Sequence, residues 1–439
     1  MRHASVLCLC LLVPAAAAAQ TSTSAPLTLD EAIAHGLANS QRLAELQSRA
    51  EAADFAIAGR RAAERPLVAL QGGYTRTNHV DEFAIALPGR APQVVYPDIP
   101  DNYRARLDLQ WPIYTGGRAD ALERAARAER SAIASDVDAA RADLRLEITR
   151  AYWAAVTAGE TEAVLRRSLE AVDAHVSDVR ARLAAGVVPP NDVASAEAQA
   201  SHQRLLALEA ANQRAIAEAD LARLTGRDTV TVAPAAAADR PAAPALPATA
   251  ALVTEALRAR AERHGLEQRA ASADARAAAA AAAGRPQIGI GGGYDYARPN
   301  PRIFPRARDW KTAWDASFNV SWTLWDGGRR AAEHGEASAA AAALRTRVTE
   351  FDRQVTFEVR ARALELESSR QAVVAADDGV RAAVEAERVV GERYRAGVLT
   401  STEVLDALIA RLQAELDRTR AIAGVRLAEA RLERAVGRK

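Results

Sequence analysis

Trp111-Pro-Ile-Tyr-Thr-Gly116-Gly117-Arg118 returns 211 residues later as Trp322-Thr-Leu-Trp-Asp-Gly327-Gly328-Arg329. Two further pairs keep that spacing. Ala184-Ala-Gly186-Val187 matches Arg395-Ala-Gly397-Val398, and Leu224-Thr-Gly226-Arg227 matches Ala435-Val-Gly437-Arg438. Chance matches do not hold one offset over so long a stretch, so the chain is one unit written twice. Pro66 and Pro286 correspond at an offset of 220, which puts the nine extra residues of the first half between Pro66 and Trp111.

Each copy of the motif ends a run with a period of two. Tyr103, Ala105, Leu107, Leu109, Trp111 and Ile113 alternate with Arg104, Arg106, Asp108 and Gln110. Trp314, Ala316, Phe318, Val320, Trp322 and Leu324 alternate with Asp315, Ser317, Asn319, Ser321 and Thr323. A partner run precedes each: Val68, Leu70, Gly72 and Tyr74, then Ile288, Ile290, Gly292 and Tyr294. Such alternation describes strands whose two faces meet different surroundings. Its length and the aromatics gathered at the ends fit membrane-barrel strands better than half-buried soluble hairpins. In a barrel, Leu107, Leu109, Phe318 and Val320 face lipid. Arg104, Arg106, Asp108, Asn319 and Ser321 face the lumen.

The rest reads as helix. Proline is absent from Arg118 to Ala185 and from Arg306 to the end. Ile133, Val137, Ala140, Leu144 and Ile148 form a coiled-coil-like seam, repeated by Leu344, Val348, Phe351, Val355 and Val359. The two long helices, each 118–185 or 329–395, would be about 100 Å in length. Shorter helices are expected over Leu29–Arg65, Asp192–Leu224, Leu252–Ala283 and Ser401–Val436, with Asn191 and either Ser401 or Thr402 as N-caps. The division expected is a signal peptide at 1–19, a first repeat at 20–227, an Ala/Pro-rich linker at 228–248 and a second repeat at 249–439. The strand pairs fall at 66–114 and 286–325.

Composition excludes much. Basic and acidic residues number 57 and 56, so no bulk charge concentrates nucleic acid. Aromatics are only 5%, and alanine dominates, as in slim helices rather than a large globular core. Met1-Arg2-His3, the apolar run from Val6 to Val13 and Ala15 to Ala19 make a secretory signal peptide. It carries the only cysteines, Cys8 and Cys10, so the exported chain has no disulfide or thiol chemistry. Cys10 lies too early for lipidation and follows Leu9 rather than a small residue. No two of the seven histidines stand three or four apart, and Met1 is the only methionine, so no metal or copper site is expected. Gly289-x-Gly291-Gly-Gly falls inside a strand pattern, not at a strand-to-helix turn, and is not a phosphate loop. No cofactor and no catalytic residue is expected.

Four strands per chain cannot close a barrel, and open edges cannot face lipid. Three chains would give twelve strands around a lumen, continued through the Gly-Gly turns into a helical tube. The fold class expected is mainly α with a membrane β-barrel. Leu29-Asp30-Glu31-Ala32-Ile33, the paired Trp-x-x-aromatic-x-Gly-Gly-Arg motifs and Tyr394-Arg-Ala-Gly397…Glu403-Val-Leu-Asp406-Ala407 together resemble the TolC family of outer-membrane efflux proteins. The resemblance runs from Leu27 to Gly437.

It implies a homotrimer with a twelve-stranded outer-membrane barrel and a periplasmic α-helical tunnel. It implies a periplasmic adaptor and an inner-membrane pump as partners, in tripartite efflux or type I secretion. It places adaptor docking at Gly186, Val187, Gly397 and Val398, and a periplasmic gate at Asp192, Tyr394, Glu403 and Asp406. Leu399 departs from the pattern, standing where the family carries an arginine gate partner. The alternative reading is a periplasmic spacer or adaptor without a pore. Such an adaptor would show one central hairpin between β-rich halves, not a unit written twice.

Overall fold

The computed structural model describes residues 26–86, 88–233 and 246–438. The signal-peptide segment and most of the linker lie outside them. The first repeat runs α1 (Leu29–Asn39), α2 (Gln41–Ala62), β1 (Leu67–Arg76), β2 (Phe83–Ile85), β3 (Gln93–Tyr96), β4 (Asp101–Tyr114), α3 (Arg118–Ala184) and α4 (Pro190–Thr225). The second runs α5 (Thr249–Ala259), α6 (Ala261–Ala282), β5 (Gln287–Arg298), β6 (Lys311–Ser321), α7 (Arg329–Arg395) and α8 (Ser401–Val436). The nine extra residues belong to the segment that makes the small β2–β3 hairpin.

The main sheet is antiparallel, in the order β1-β4-β5-β6, so β4 and β5 join the two repeats and β1 and β6 are open edges. β6 stops at Ser321, short of the alternation that continues to Leu324. Each strand-to-helix junction needs two successive residues with positive φ: Gly116 and Gly117 at 68° and 83°, Gly327 and Gly328 at 70° and 89°. Only glycine adopts these without strain. The motif tryptophans tie the sheet to the preceding helix end. The Trp111 indole N–H donates to the Glu64 carbonyl at 3.2 Å, and Trp322 to the Gly284 carbonyl at 3.0 Å.

Each long helix has 67 residues, about 100 Å. Along α3, helix α4 covers the half far from the sheet, where Val172 and Val176 pack with Ala196 and Ala200. Helix α6 covers the half near it, where Ser272 donates to the Ala125 carbonyl at 3.0 Å. Of the expected seam, Ala140, Leu144 and Ile148 are buried, while Ile133 and Val137, nearer the sheet, are half-buried.

Two expected helices are broken. Leu29–Arg65 divides at Ser40 and Leu252–Ala283 at Arg260, both extended in backbone. The left-handed C-caps Gly226 and Gly437 dock against these breaks. A Cβ on Gly226 would lie 3.0 Å from Asn39, and one on Gly437 would lie 3.0 Å from the Ala259 backbone. Ser40 caps α2 by accepting from the Leu43 N–H. Arg260 turns inward, donating to Glu358 at 3.0 Å and to the Ala435 carbonyl at 3.1 Å.

Asn191 and Ser401 or Thr402 are not the N-caps expected. Pro189 occupies the cap of α4, with Pro190 in the first turn. Thr400 caps α8, because Glu403 stands three residues on and completes a capping box.

Each repeat has its own core, built on one plan and differently filled. Ile33, Leu144, Ile148 and Leu221 form it in the first; Leu252, Val355, Val359 and Leu432 form it in the second. Gly36 packs on Ile148 where the second repeat has Ala256 on Val359, so a methylene has moved across the contact. A Cβ on Gly36 would lie 2.3 Å from Ile148 Cδ1. Gly36→Ala should therefore destabilise the chain by about 1–3 kcal/mol through overpacking. Adding Ile148→Val should recover most of the loss. Thermal unfolding of the two variants in detergent checks this; additive losses would refute the exchange.

Candidate functional site

The strand register sorts every side chain of the sheet. Leu70, Leu107, Tyr294 and Trp314 stand in one cross-strand row, and Val68, Leu109, Gly292 and Ala316 in the next. Phe318 and Val320 continue that face beside Ile290 and Ile288. It is open: Leu70 is 76% exposed, Trp314 73% and Phe318 67%. A row of large apolar side chains this exposed requires a non-aqueous neighbour.

The opposite face is polar. Arg104, Arg106, Asp108, Asn319 and Ser321 all lie on it, as the alternation implies. Arg104 donates to Asp295 at 2.7 Å and Arg106 to Asp108 at 2.6 Å. Arg106 also bonds Asp295 and reaches Asp315 at 3.1 Å, while Asn319 donates to the Ser317 hydroxyl at 3.0 Å. Asp295 and Asp315 complete this network from the second repeat. Their parity along β5 and β6 carries the signal that places them there.

The far ends of the long helices form the second site. Gly186 and Gly397 close α3 and α7 in the same Schellman turn. Val187 N–H donates to the Arg182 carbonyl and Val398 N–H to the Arg393 carbonyl, each at 2.9 Å. Val187 and Val398 stand out at 67% and 70% exposure. Gly186, Val187, Gly397 and Val398 are thus two matching, projecting tips.

The structure brings Tyr394 to residues that the sequence does not single out. Its ring is buried under the Arg182 guanidinium at 4.1 Å and beside the His175 ring at 5.4 Å. Arg182 also donates to the Tyr394 carbonyl at 3.3 Å and pairs with Asp178 at 3.0 Å. His175 Nε2 and the Ser401 hydroxyl are 2.9 Å apart. Burial raises the Tyr394 phenol above its ordinary pKa; Arg182 opposes this, while Asp178 and Asp192 add to it. Asp192 thus acts on Tyr394 as a nearby charge, at the start of α4. The cation on Tyr394 comes from α3.

Glu403 and Asp406 are exposed on α8, three residues apart. Glu403 is engaged locally: it accepts from the Thr400 N–H at 2.7 Å and its hydroxyl at 2.9 Å. The Thr400 amide, then its hydroxyl, holds the Glu403 carboxyl below the usual range. Among the described residues no three His, Cys, Asp or Glu side chains group as metal ligands, and no helix is long and apolar enough to cross a membrane.

The sequence model for outer membrane efflux proteins matches residues 32–227 and again 252–438. The chain belongs to the outer membrane efflux protein family. The model matches each repeat once, and the chain is an outer-membrane protein. No curated protein sequence matches it. Among solved structures, CusC is similar with a TM-score of 0.81 at 16% identity, covering 94% of this chain and 92% of that one. A membrane protein of Pseudomonas aeruginosa gives 0.78 at 21%, covering 93% and 90%. The open state of the MtrE outer membrane channel of Neisseria gonorrhoeae gives 0.74 at 21%, covering 93% and 89%. At these identities the likeness shows the fold.

Phe318→Arg should cost about 2–4 kcal/mol of folding free energy in lipid, and Asn319→Arg far less. Urea titration in vesicles checks this, and equal costs would remove the sheet from a bilayer. At the tips, burial holds the His175 pKa below its ordinary value, with Asp178 and the Ser401 backbone opposing and Arg182 reinforcing. The unfolded chain takes up that proton first. Stability should therefore fall as pH drops from about 6.5 toward the lower folded value. His175→Asn should flatten that slope in thermal melts.

Proposed function

We propose that three copies of this chain form an outer-membrane export channel whose twelve-stranded barrel continues into a helical tunnel. The observation that carries the reading is the two-faced sheet with open edges at β1 and β6. Unpaired strand edges cannot face lipid, so the sheet needs further copies of itself to close. The exposed apolar rows would then meet lipid, and the Arg104, Arg106 and Asp108 face would line the lumen. The structure's length supports a conduit: about 100 Å of helix leads from the sheet to the tips.

At the far end, Gly186, Val187, Gly397 and Val398 suit docking by a periplasmic adaptor that links the channel to an inner-membrane pump. Either tripartite efflux or type I secretion fits this arrangement. Asp192, Tyr394, Glu403 and Asp406 form the entrance gate, with Arg182 holding Tyr394. Threefold repetition would set Glu403 and Asp406 as a carboxylate ring that attracts cations. A spacer or adaptor without a pore would leave the exposed apolar sheet unexplained.

The test is direct. Detergent-extracted protein should have three times the monomer mass, and bilayers should show cation-selective current blocked by divalent ions. Glu403→Gln/Asp406→Asn should lose that selectivity and block. Because Glu403 is held below the usual carboxylate range, its share of the selectivity should persist into acid beyond that of an ordinary glutamate. A monodisperse monomer that is soluble without detergent would refute the channel.

A further inference from the structure

We infer that the β5–β6 loop, residues 299–310, folds inward over the polar face of the sheet and narrows the outer mouth of the barrel, with Arg302 as its tether. The inference rests on the reading of the sheet as a closed barrel. Asp295 and Ala297 lie on the polar face, where lumen water would reach them, yet each is only 1% exposed. Arg104 and Arg106 of β4 close over Asp295 together with Arg302 of the loop, and the loop covers Ala297. Pro299, Pro301 and Arg306 stand with Ala297, Gln71 and Thr75 around a 290 Å³ cavity. The loop therefore reaches across β4 to β1, well beyond the two strands it connects.

Its hold is specific on three sides. On the polar face, Arg302 bonds Asp315 at 2.7 Å and lies 3.9 Å from Asp295. Asn300 is 2% exposed; it donates to the Lys311 carbonyl and accepts from the Arg302 N–H, both at 3.0 Å. On the apolar face, Trp310 stacks on Tyr296 at 4.7 Å and lies 6.0 Å from Tyr103. Between these, Arg306 donates to the Tyr96 hydroxyl and Arg308 to the Asp98 carbonyl, each at 2.9 Å. The loop leaves β5 on the polar side and returns to β6 over the rim.

The chemistry says what kind of restriction this is. Arg104, Arg106 and Arg302 pair with Asp108, Asp295 and Asp315, while Arg306 at the same cavity and Lys311 on the same face add positive charge. The loop's bulk over the face restricts passage by size, and that is the property the polymer cut-off reads. Releasing the loop costs the Arg302 pairings, because Asp315 and Asp295 would keep only the guanidiniums of β4.

The experiment measures pore size and cover separately. In planar bilayers, Arg302→Ala should raise conductance and admit polyethylene glycols that the wild type excludes. Arg302→Lys should keep most of the restriction, since an ammonium still answers the same carboxylates. Independently, a cysteine at 297 would be the only one after Cys10. Ala297→Cys should react slowly with an impermeant maleimide on whole cells, and rapidly when combined with Arg302→Ala. Equal labelling in both backgrounds would overturn the tether. Faster labelling with an unchanged polymer cut-off would overturn the constriction. If no variant conducts but labelling still responds to Arg302, the channel reading fails and the loop's inward cover stands.

Discussion

A sheet whose two faces must meet different surroundings is the constraint on which the rest of this molecule depends. One face carries Leu70, Leu107, Trp314 and Phe318 in the open; the other carries a paired network of arginines and aspartates. Because β-strand side chains alternate, a single-residue slip would exchange the faces, and burial of charge in an apolar phase is too costly to tolerate. Register is thereby fixed across all four strands. The Gly-Gly turns then convert that fixed sheet into fixed starting points for α3 and α7. The helices inherit their placement from the strands.

What was legible in the sequence follows from this. Alternation is a local signal, so the strands, their faces and the duplication could be read directly. α7 and α8 fall at the limits expected, because Gly327-Gly328 and Gly397 mark starts and ends chemically. The breaks at Ser40 and Arg260 could not be read. Neither carries proline or glycine, and each meets a helix end that arrives from 186 or 175 residues away. The α8 cap lay within reach: Thr400, Ser401 and Thr402 all suit a cap, and the Glu403 spacing selects Thr400.

The far tips were harder for the same reason. Gly186, Val187, Gly397 and Val398 mark themselves by a repeated turn. Tyr394 is a single aromatic, and its partners Arg182 and His175 lie in the other repeat. Arg393 and Arg395 flank it in the sequence, but nothing there points to Arg182 of α3 as the cation over its ring. Contacts between repeats have no short-range signature, and the cluster at Tyr394 consists of little else.

The duplication also has an unequal outcome. Leu146 and Trp153 on α3 are half-buried, whereas their copies Phe357 and Leu364 on α7 are 73% and 72% exposed. α3 has α6 and α8 of the following repeat packed on it, with Arg426 of α8 5.7 Å from the Trp153 ring, whereas α7 packs on α5, α6 and α8 of its own repeat. The element equivalent to α6 is α2, whose Phe55 is 78% exposed. The step that sets α6 on α3 and β5 beside β4 would, taken once more, set a neighbour's α2 on α7 and its β1 beside β6. In the proposed trimer, six such steps would make a ring of quasi-equivalent joints, three covalently linked and three not. An aperture that widens by rotation about its joints would then yield first at the unlinked ones, so the tube would dilate as a triangle rather than as a circle.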